Sequence, residues 1–169
     1  MDLQEAVRTR RTHKSFAPDQ VPRETLDELF ELARWAPNHH LTQPWRFRVL
    51  GPATLARLKE SAGPSEAIKL DRAPTLVLAS AQLSGDLVQD EEDLHATACA
   101  VYAVLLGAHA RGLAAYWRTP AVLRTAAGRA ALALPDEERA IALVHLGPLR
   151  QEKAPPERAP AADVVTYLD

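Results

Sequence analysis

The chain has 169 residues, of which 47% are hydrophobic and 25% charged, and its formal net charge at pH 7 is −2. This length suits one domain with a buried core, and the near balance of charge gives no general attraction to nucleic acid or to an anionic membrane. The single cysteine, Cys99, excludes an intrachain disulfide and suits a reducing compartment. Because no signal-peptide pattern follows Met1, we expect a cytoplasmic protein.

The N-terminal part predicts two helices separated by a basic segment. Residues 2–11 have the pattern of a short amphipathic helix, and residues 10–14 hold four potentially cationic side chains. Such a cluster suits a phosphate monoester, although a solvated helix end with cations stabilised by the helix dipole explains it equally well. A second helix is predicted from Pro22 to about Ala36, because apolar residues recur at i, i+3, i+4 and i+7.

A polar loop over residues 38–44 leads into a predicted strand over 45–50, in which apolar and charged residues alternate. Loops at strand ends commonly carry ligand contacts, so this loop is a candidate binding segment. Further along, the pattern predicts a helix over 52–62, a strand buried on both faces over 75–79 and an acidic loop over 82–93.

The second half predicts a long buried helix and a last core strand. Residues 95–113 are apolar on every side, so we expect a buried helix that Gly112 ends and in which Cys99 is inert. Residues 117–119, Trp-Arg-Thr, follow this helix and place an aromatic ring beside a cation. Residues 141–147 predict the last core strand.

The C-terminal part is rich in proline from Pro148 onwards, which excludes the interior of a sheet. It ends in a strand-forming sequence over residues 164–168. An apolar strand left unpaired exposes backbone donors and apolar surface, so we expect it to pair at a distance, with a second subunit as one candidate.

No motif in the sequence identifies a nucleophile, an acid–base pair or a metal site. The chain lacks a dinucleotide-binding GxGxxG after a strand, a GxxxxGK[ST] loop, a GxSxG elbow and an HExxH motif. His39 and His40 are expected to point apart on extended backbone and therefore to chelate poorly. Phosphate-type donors and aromatic residues without catalytic side chains are typical of a protein whose cofactor performs the chemistry.

Six motifs in this order resemble the nitroreductase superfamily of FMN enzymes, and most of all its minimal bacterial branch, the YdjA-type NAD(P)H nitroreductases. The motifs are the segments 10–14 (RRTHK), 21–26 (VPRETL), 36–47 (APNHHLTQPWRF), 109–117 (HARGLAAYW), 143–148 (LVHLGP) and the basic, proline-rich tail 153–167 that ends in VVTY.

The resemblance implies an α+β fold with a central, mainly antiparallel sheet flanked by helices. It implies one FMN-binding domain over residues 1–169, in which residues 148–169 form an extended arm exchanged in a homodimer. It also implies FMN as the cofactor, NADH or NADPH as the donor, and a nitroaromatic, quinone or similar small oxidant reduced in ping-pong order. The residues that it assigns to the cofactor are Arg10, Arg11, Thr12, Lys14, Trp35, His39, Gln43, Trp117, Arg118, Thr119 and Arg158.

Within this assignment, Arg10, Thr12 and Lys14 hold the phosphate and ribityl chain, and Arg118 faces the pyrimidine edge of the flavin. His39 comes from the partner subunit, and Lys153 or Arg158 reaches the phosphate.

The sequence departs from the family pattern at three places. Thr12 replaces the usual Ser and keeps the hydroxyl, whereas Lys14 replaces the usual Arg and loses the planar fork. Leu41-Thr42 stand where many relatives have Asn, so His39 or Asn38 is expected to take that role. Three alternatives stay open: another flavin reaction such as dehalogenation or ene reduction, a non-catalytic flavin- or nucleotide-binding dimer, and an α+β interaction domain whose basic start binds acidic partners.

Overall fold

The computed structural model describes residues 1–154 and 156–168. Pro155 and Asp169, which the predicted arm includes, lie outside the described residues. The helices and strands are α1 (Leu3–Thr9), α2 (Arg23–Ala33), β1 (Trp45–Val49), α3 (Pro52–Ser61), α4 (Pro64–Leu70), β2 (Thr75–Gln82), α5 (Leu87–Ala110), β3 (Leu113–Arg118), α6 (Ala126–Ala131) and β4 (Glu138–Pro148). Single 3-10 turns cover His39–Leu41, Ala121–Arg124 and Ala161–Asp163.

The four strands form one sheet in the order β1-β2-β4-β3, and every neighbouring pair is antiparallel. Helices α2 and α5 cover one face, with Leu29, Val101 and Val144 in the core between them and the sheet. The opposite face is covered by α3, α4 and α6, whose core includes Leu58 and Leu70. The predicted α+β fold with a flanked antiparallel sheet is therefore confirmed.

Helix α5 corrects two predictions. It begins at Leu87, so the acidic loop predicted over 82–93 is wrong. The Asp86 side chain caps the helix by accepting from the backbone N–H groups of residues 88 and 89, and carboxylates near a helix N-terminus are stabilised by the dipole. The helix is also not buried on every side, because Cys99 and Tyr102 are exposed. Among the described residues, no helix is long and apolar enough to cross a membrane.

The basic N-terminal segment lies along the outer edge of β3. Thr12 forms an isolated parallel bridge with Ala115, and the His13 backbone N–H donates to the Ala115 carbonyl at 3.1 Å. Phe16 then pairs with Leu149 at the start of the tail. These bridges hold the segment and the tail next to each other.

The strand predicted over 164–168 does not form in this chain. Asp163 ends a 3-10 turn, and the following described residues pair with no strand. Tyr167 and Leu168 are 92% and 90% exposed. A strand requires a neighbour to accept its backbone hydrogen bonds, and nothing within the described chain supplies one at this position.

Candidate functional site

A basic cavity lies where the N-terminal segment meets the tail, and it has a volume of about 280 Å³. Arg10, Arg11, Thr12 and Arg158, four residues of the predicted site, line it together with Lys153, Ala154 and Pro156. No acidic residue is among those that line it. The Nε atoms of Arg10 and Arg11 are buried and make no hydrogen bond within the described chain. The cavity therefore presents positive charge and unused donors to an incoming group.

Local backbone geometry positions these cations. Helix α1 ends at Thr9, and the Arg10 backbone N–H caps it by donating to the Ala6 carbonyl at 3.0 Å. The Arg11 Nη1 atom donates to the carbonyls of Arg8 and Arg10 at 2.7 and 2.6 Å, which fixes the guanidinium against the helix end. The Lys153 Nζ atom reaches the Thr12 carbonyl at 3.5 Å and ties the tail to the segment.

Two histidines stand beside the basic cavity and remain neutral at pH 7. Burial, followed by the nearby charge of Lys153, lowers the pKa of His13. Burial and the two arginines of the segment lower the pKa of His109 in the same way. The Thr9 hydroxyl donates to the Glu5 carbonyl at 2.6 Å, so it accepts from His109 Nε2 at 2.7 Å. The positive charge of this region therefore comes from arginine and lysine alone.

A second polar group continues along β3. Lys14 does not line the basic cavity; its Nζ lies 5.9 Å from the centre of the Tyr116 ring, and the guanidinium of Arg118 lies at the same distance from that ring. Arg118 is buried and forms an ion pair with Glu66 of α4, while its Nη1 atom is buried without a partner. Burial pushes the pKa of Glu66 upwards, but the hydrogen bond and charge of Arg118 outweigh it and lower that pKa overall.

His145 lies in β4 on the same face as this group, with its ring 5.9 Å from that of Tyr116. It is fully buried, and both ring nitrogens lack a partner within the described chain. Burial, with the charges of Arg118 and Arg72, lowers its pKa to about 3. His145 is therefore a neutral side chain under ordinary conditions.

Trp117 and Thr119 complete the predicted residues at this edge. Trp117 is half-buried against the core beneath α5, and its indole N–H donates to the Ile141 carbonyl at 3.3 Å. Thr119 is exposed and lines a separate cavity beyond the end of β3.

The remaining predicted residues lie near the start of α5. His39 Nδ1 pairs with Glu92 Oε2 at 2.7 Å, and the Gln43 backbone N–H donates to Asn38 Oδ1 at 2.9 Å. Trp35 is 75% exposed. His40 has a left-handed φ of 53°, and its ring stacks on that of His39 with 3.7 Å between ring centres. The expectation that the two histidines point apart is therefore wrong, because the segment is a turn and not extended.

The predicted site residues thus fall into two groups at opposite ends of α5. His39 contacts Glu92 near the start of the helix, and Thr9, next to the basic segment, contacts His109 near its end. From 92 to 109 is 17 residues, which is about 26 Å at about 1.5 Å per residue. One chain therefore does not bring His39 to the basic cavity.

Comparisons with known proteins agree with this arrangement. The model of the "Nitroreductase family" matches residues 7–67, which include the basic segment and the loop that carries His39. "Putative NAD(P)H nitroreductase YfhC" of Bacillus subtilis is 26% identical over 98% of this chain and 94% of YfhC. "Putative NAD(P)H nitroreductase YdjA" of Escherichia coli K12 is 26% identical over 87% of this chain and 88% of YdjA. The resemblance to the nitroreductase family is confirmed.

The nitroreductase fold is also found in a solved structure. A crystal structure from Desulfovibrio desulfuricans, described as a putative nitroreductase in complex with FMN, is 25% identical and superposes with a TM-score of 0.84. The match covers 98% of this chain and 96% of that one.

Sequence reasoning missed several polar partners in this nitroreductase-like chain. It did not identify Glu66 as the partner of Arg118 or Glu92 as the partner of His39, and it did not single out His13 beside the basic cavity. Each of these pairs joins residues more than 50 positions apart, so no local spacing signals it. The basic segment was the one part of the site with a local signal.

Proposed function

We propose that the protein is an FMN-dependent oxidoreductase that uses NADH or NADPH to reduce nitroaromatic, quinone or similar small oxidants in ping-pong order. The observation that carries the proposal is the basic cavity, in which Arg10, Arg11, Lys153 and Arg158 surround an opening of about 280 Å³. The resemblance to proteins named as NAD(P)H nitroreductases, and to one solved with FMN, supports the same function.

The residues present fit a phosphate monoester. Such a group carries about −1.5 to −2 charges at pH 7 and three strong acceptor oxygens. The cavity offers four cations with no lining carboxylate, and the buried Nε atoms of Arg10 and Arg11 have no partner within the described chain. Burying a donor without an acceptor is unfavourable, so these atoms are suited to an external anion. The Thr12 hydroxyl adds a neutral donor at the same opening.

The edge of β3 would hold the rest of the cofactor. Thr12 stands opposite Ala115, and Arg118 lies three residues further along the strand, which is about 10 Å. Lys14 and Arg118 on this path place positive charge where the reduced flavin carries more negative charge, and Trp117 supplies an apolar surface that excludes water. When bound, FMN supplies the redox chemistry by accepting a hydride from NAD(P)H and passing it to the oxidant.

We propose further that the functional unit is a homodimer, because one chain holds only half of the site at each end of α5. Two copies with antiparallel α5 helices place the partner's His39 end beside the basic end. Tyr102, Leu3 and Leu32 are exposed apolar side chains near this helix, and covering them removes apolar surface from water. The exposed residues 164–168 would find a strand partner on the second copy.

The test of the cofactor proposal is an absorbance spectrum of the purified protein with added FMN. We expect a bound flavin spectrum that NADH or NADPH bleaches and that an added quinone or nitroaromatic restores. A protein that retains FMN without bleaching would be a binding protein, and one that binds no FMN would exclude the proposal.

The dimer geometry is tested at Cys99, which lies at the midpoint of α5 and is exposed. Antiparallel pairing about the helix centre brings the two Cys99 thiols together, so a short bismaleimide should link wild-type subunits covalently. In a Cys99→Ser background, Glu91→Cys moves the thiol eight residues from the centre, so the two copies stand about 24 Å apart along the axis and should not be linked. Equal linking of both proteins would exclude this geometry.

A further inference from the structure

A small cavity of about 210 Å³ opens beyond the end of β3, and the function proposed above does not use it. It lies between the 3-10 turn Ala121–Arg124, the first residues of β4 and the start of α5. Its lining residues are Leu94, Thr119, Pro120, Leu123, Arg124, Arg139, Ala140 and Ile141.

The charge of this cavity is entirely positive. Arg124 and Arg139 line it, and no carboxylate is among its lining residues. Within the described part of the chain, neither guanidinium makes a hydrogen bond or an ion pair. Nearby Arg129, in contrast, is held by two backbone carbonyls and by Asp136. Two unengaged guanidinium groups that share one opening form a fork suited to a carboxylate or phosphate.

The rest of the lining is apolar apart from one hydroxyl. Leu94, Leu123 and Ile141 form the walls, and the Thr119 hydroxyl lies among them. The volume is below the roughly 300–1,000 Å³ of sites that enclose a whole drug-sized molecule. The cavity therefore suits the anionic end of a ligand whose remainder lies outside it.

Thr119 connects this cavity to the candidate flavin path, since it directly follows Trp117 and Arg118 at the end of β3. We propose that Arg124 and Arg139 bind the carboxylate or phosphate end of the small molecule that exchanges electrons at the flavin, an inference that rests on the proposed function. The anion would anchor one end of that molecule and direct its other end towards β3. The protein thus selects reactants that carry an acidic group.

The test compares reactants that differ in charge but hardly in shape. Wild type, Arg124→Ala and Arg139→Ala are assayed with 4-nitrobenzoate and with the neutral 4-nitrobenzamide, and the KM of NADH and NADPH is measured with a neutral quinone. Losing a charge-assisted bond weakens binding about tenfold to a hundredfold. We expect that rise in KM for 4-nitrobenzoate alone if the anion is a carboxylate of the oxidant, or for the nicotinamide donor if it is a phosphate.

Arg57→Ala is the matched control, because it removes one exposed positive charge from α3, outside this cavity. Calorimetric titration with benzoate measures binding without turnover and should weaken in Arg124→Ala and Arg139→Ala only. Unchanged KM values together with unchanged benzoate binding in both variants would overturn the inference. If wild type reduces no oxidant with either donor, the proposed function fails, and the benzoate titration still decides whether the cavity binds anions.

Discussion

Replacement of Arg10 by alanine should weaken FMN binding by about tenfold to a hundredfold. Arg10 is one of four cations that line the basic cavity, and its buried Nε atom has no partner within the described chain. A hydrogen bond to a charged group contributes about 1.5–3 kcal/mol, and each 1.4 kcal/mol changes affinity about tenfold. The three cations that remain should preserve measurable binding. Titration of the apoprotein with FMN, followed by quenching of flavin fluorescence, gives the dissociation constant.

The fold must be checked separately, because the Arg10 guanidinium also lies 5.9 Å from the ring of Tyr102 on α5. Such a contact contributes about 0.5–1 kcal/mol at an exposed site, so a small loss of stability in urea is expected. Arg8→Ala is the matched control, since it removes the same charge from the end of α1 without lining the cavity. Unchanged FMN affinity in folded Arg10→Ala, or an equal loss in Arg8→Ala, would refute the phosphate assignment.

Three further predictions concern acid stability, the flavin potential and the tail. Hydrogen bonds from Arg48 lower the pKa of buried Glu138, so its stabilisation is complete above the unfolded pKa of about 4.3 and is lost as the pH falls through the lower folded pKa. Glu138→Gln should therefore be about 1–3 kcal/mol less stable than wild type in urea at pH 7, and a gap that persists undiminished at pH 3 would contradict this. Arg118→Ala should lower the FMN reduction potential and Glu66→Gln should raise it, as measured by dye-coupled titration, whereas a potential that both variants leave level would place Arg118 away from the flavin. Truncation after Gly147 should reduce FMN retention and dimerisation together, and a yellow, dimeric truncated protein in light scattering would show that the dimer is held elsewhere.

The sequence predicted those elements whose own residues carry a complete pattern. Helix α2 follows from its apolar spacing and from Pro22 at its start, and β2 follows from its continuous apolar run. The start of α5 was missed because its acidic residues are typical of a loop, and only the Asp86 cap shows that they begin a helix. The exposure of Cys99 was missed because an apolar helix surface suits the core of one chain and a contact between two chains equally well.

The candidate site shows the same division. The basic segment over residues 10–14 was predicted because its cations are adjacent in the chain, and the link to Arg158 came from the family resemblance. The pairing of Arg118 with Glu66 was not predictable, because it depends on α4 packing against the end of β3. The cavity between Arg124 and Arg139 likewise arises only when β4 returns beside the turn that follows β3.

The separation of the two residue groups along α5 has a genetic consequence. In the proposed dimer, each site takes its phosphate end from one subunit and His39 from the other. A subunit with a damaged Arg10 and a subunit with a damaged His39 are each inactive as homodimers. When they assemble together, one of the two sites inherits both defects and the other inherits none. Two different loss-of-function alleles at opposite ends of this helix should therefore complement each other when expressed in the same cell.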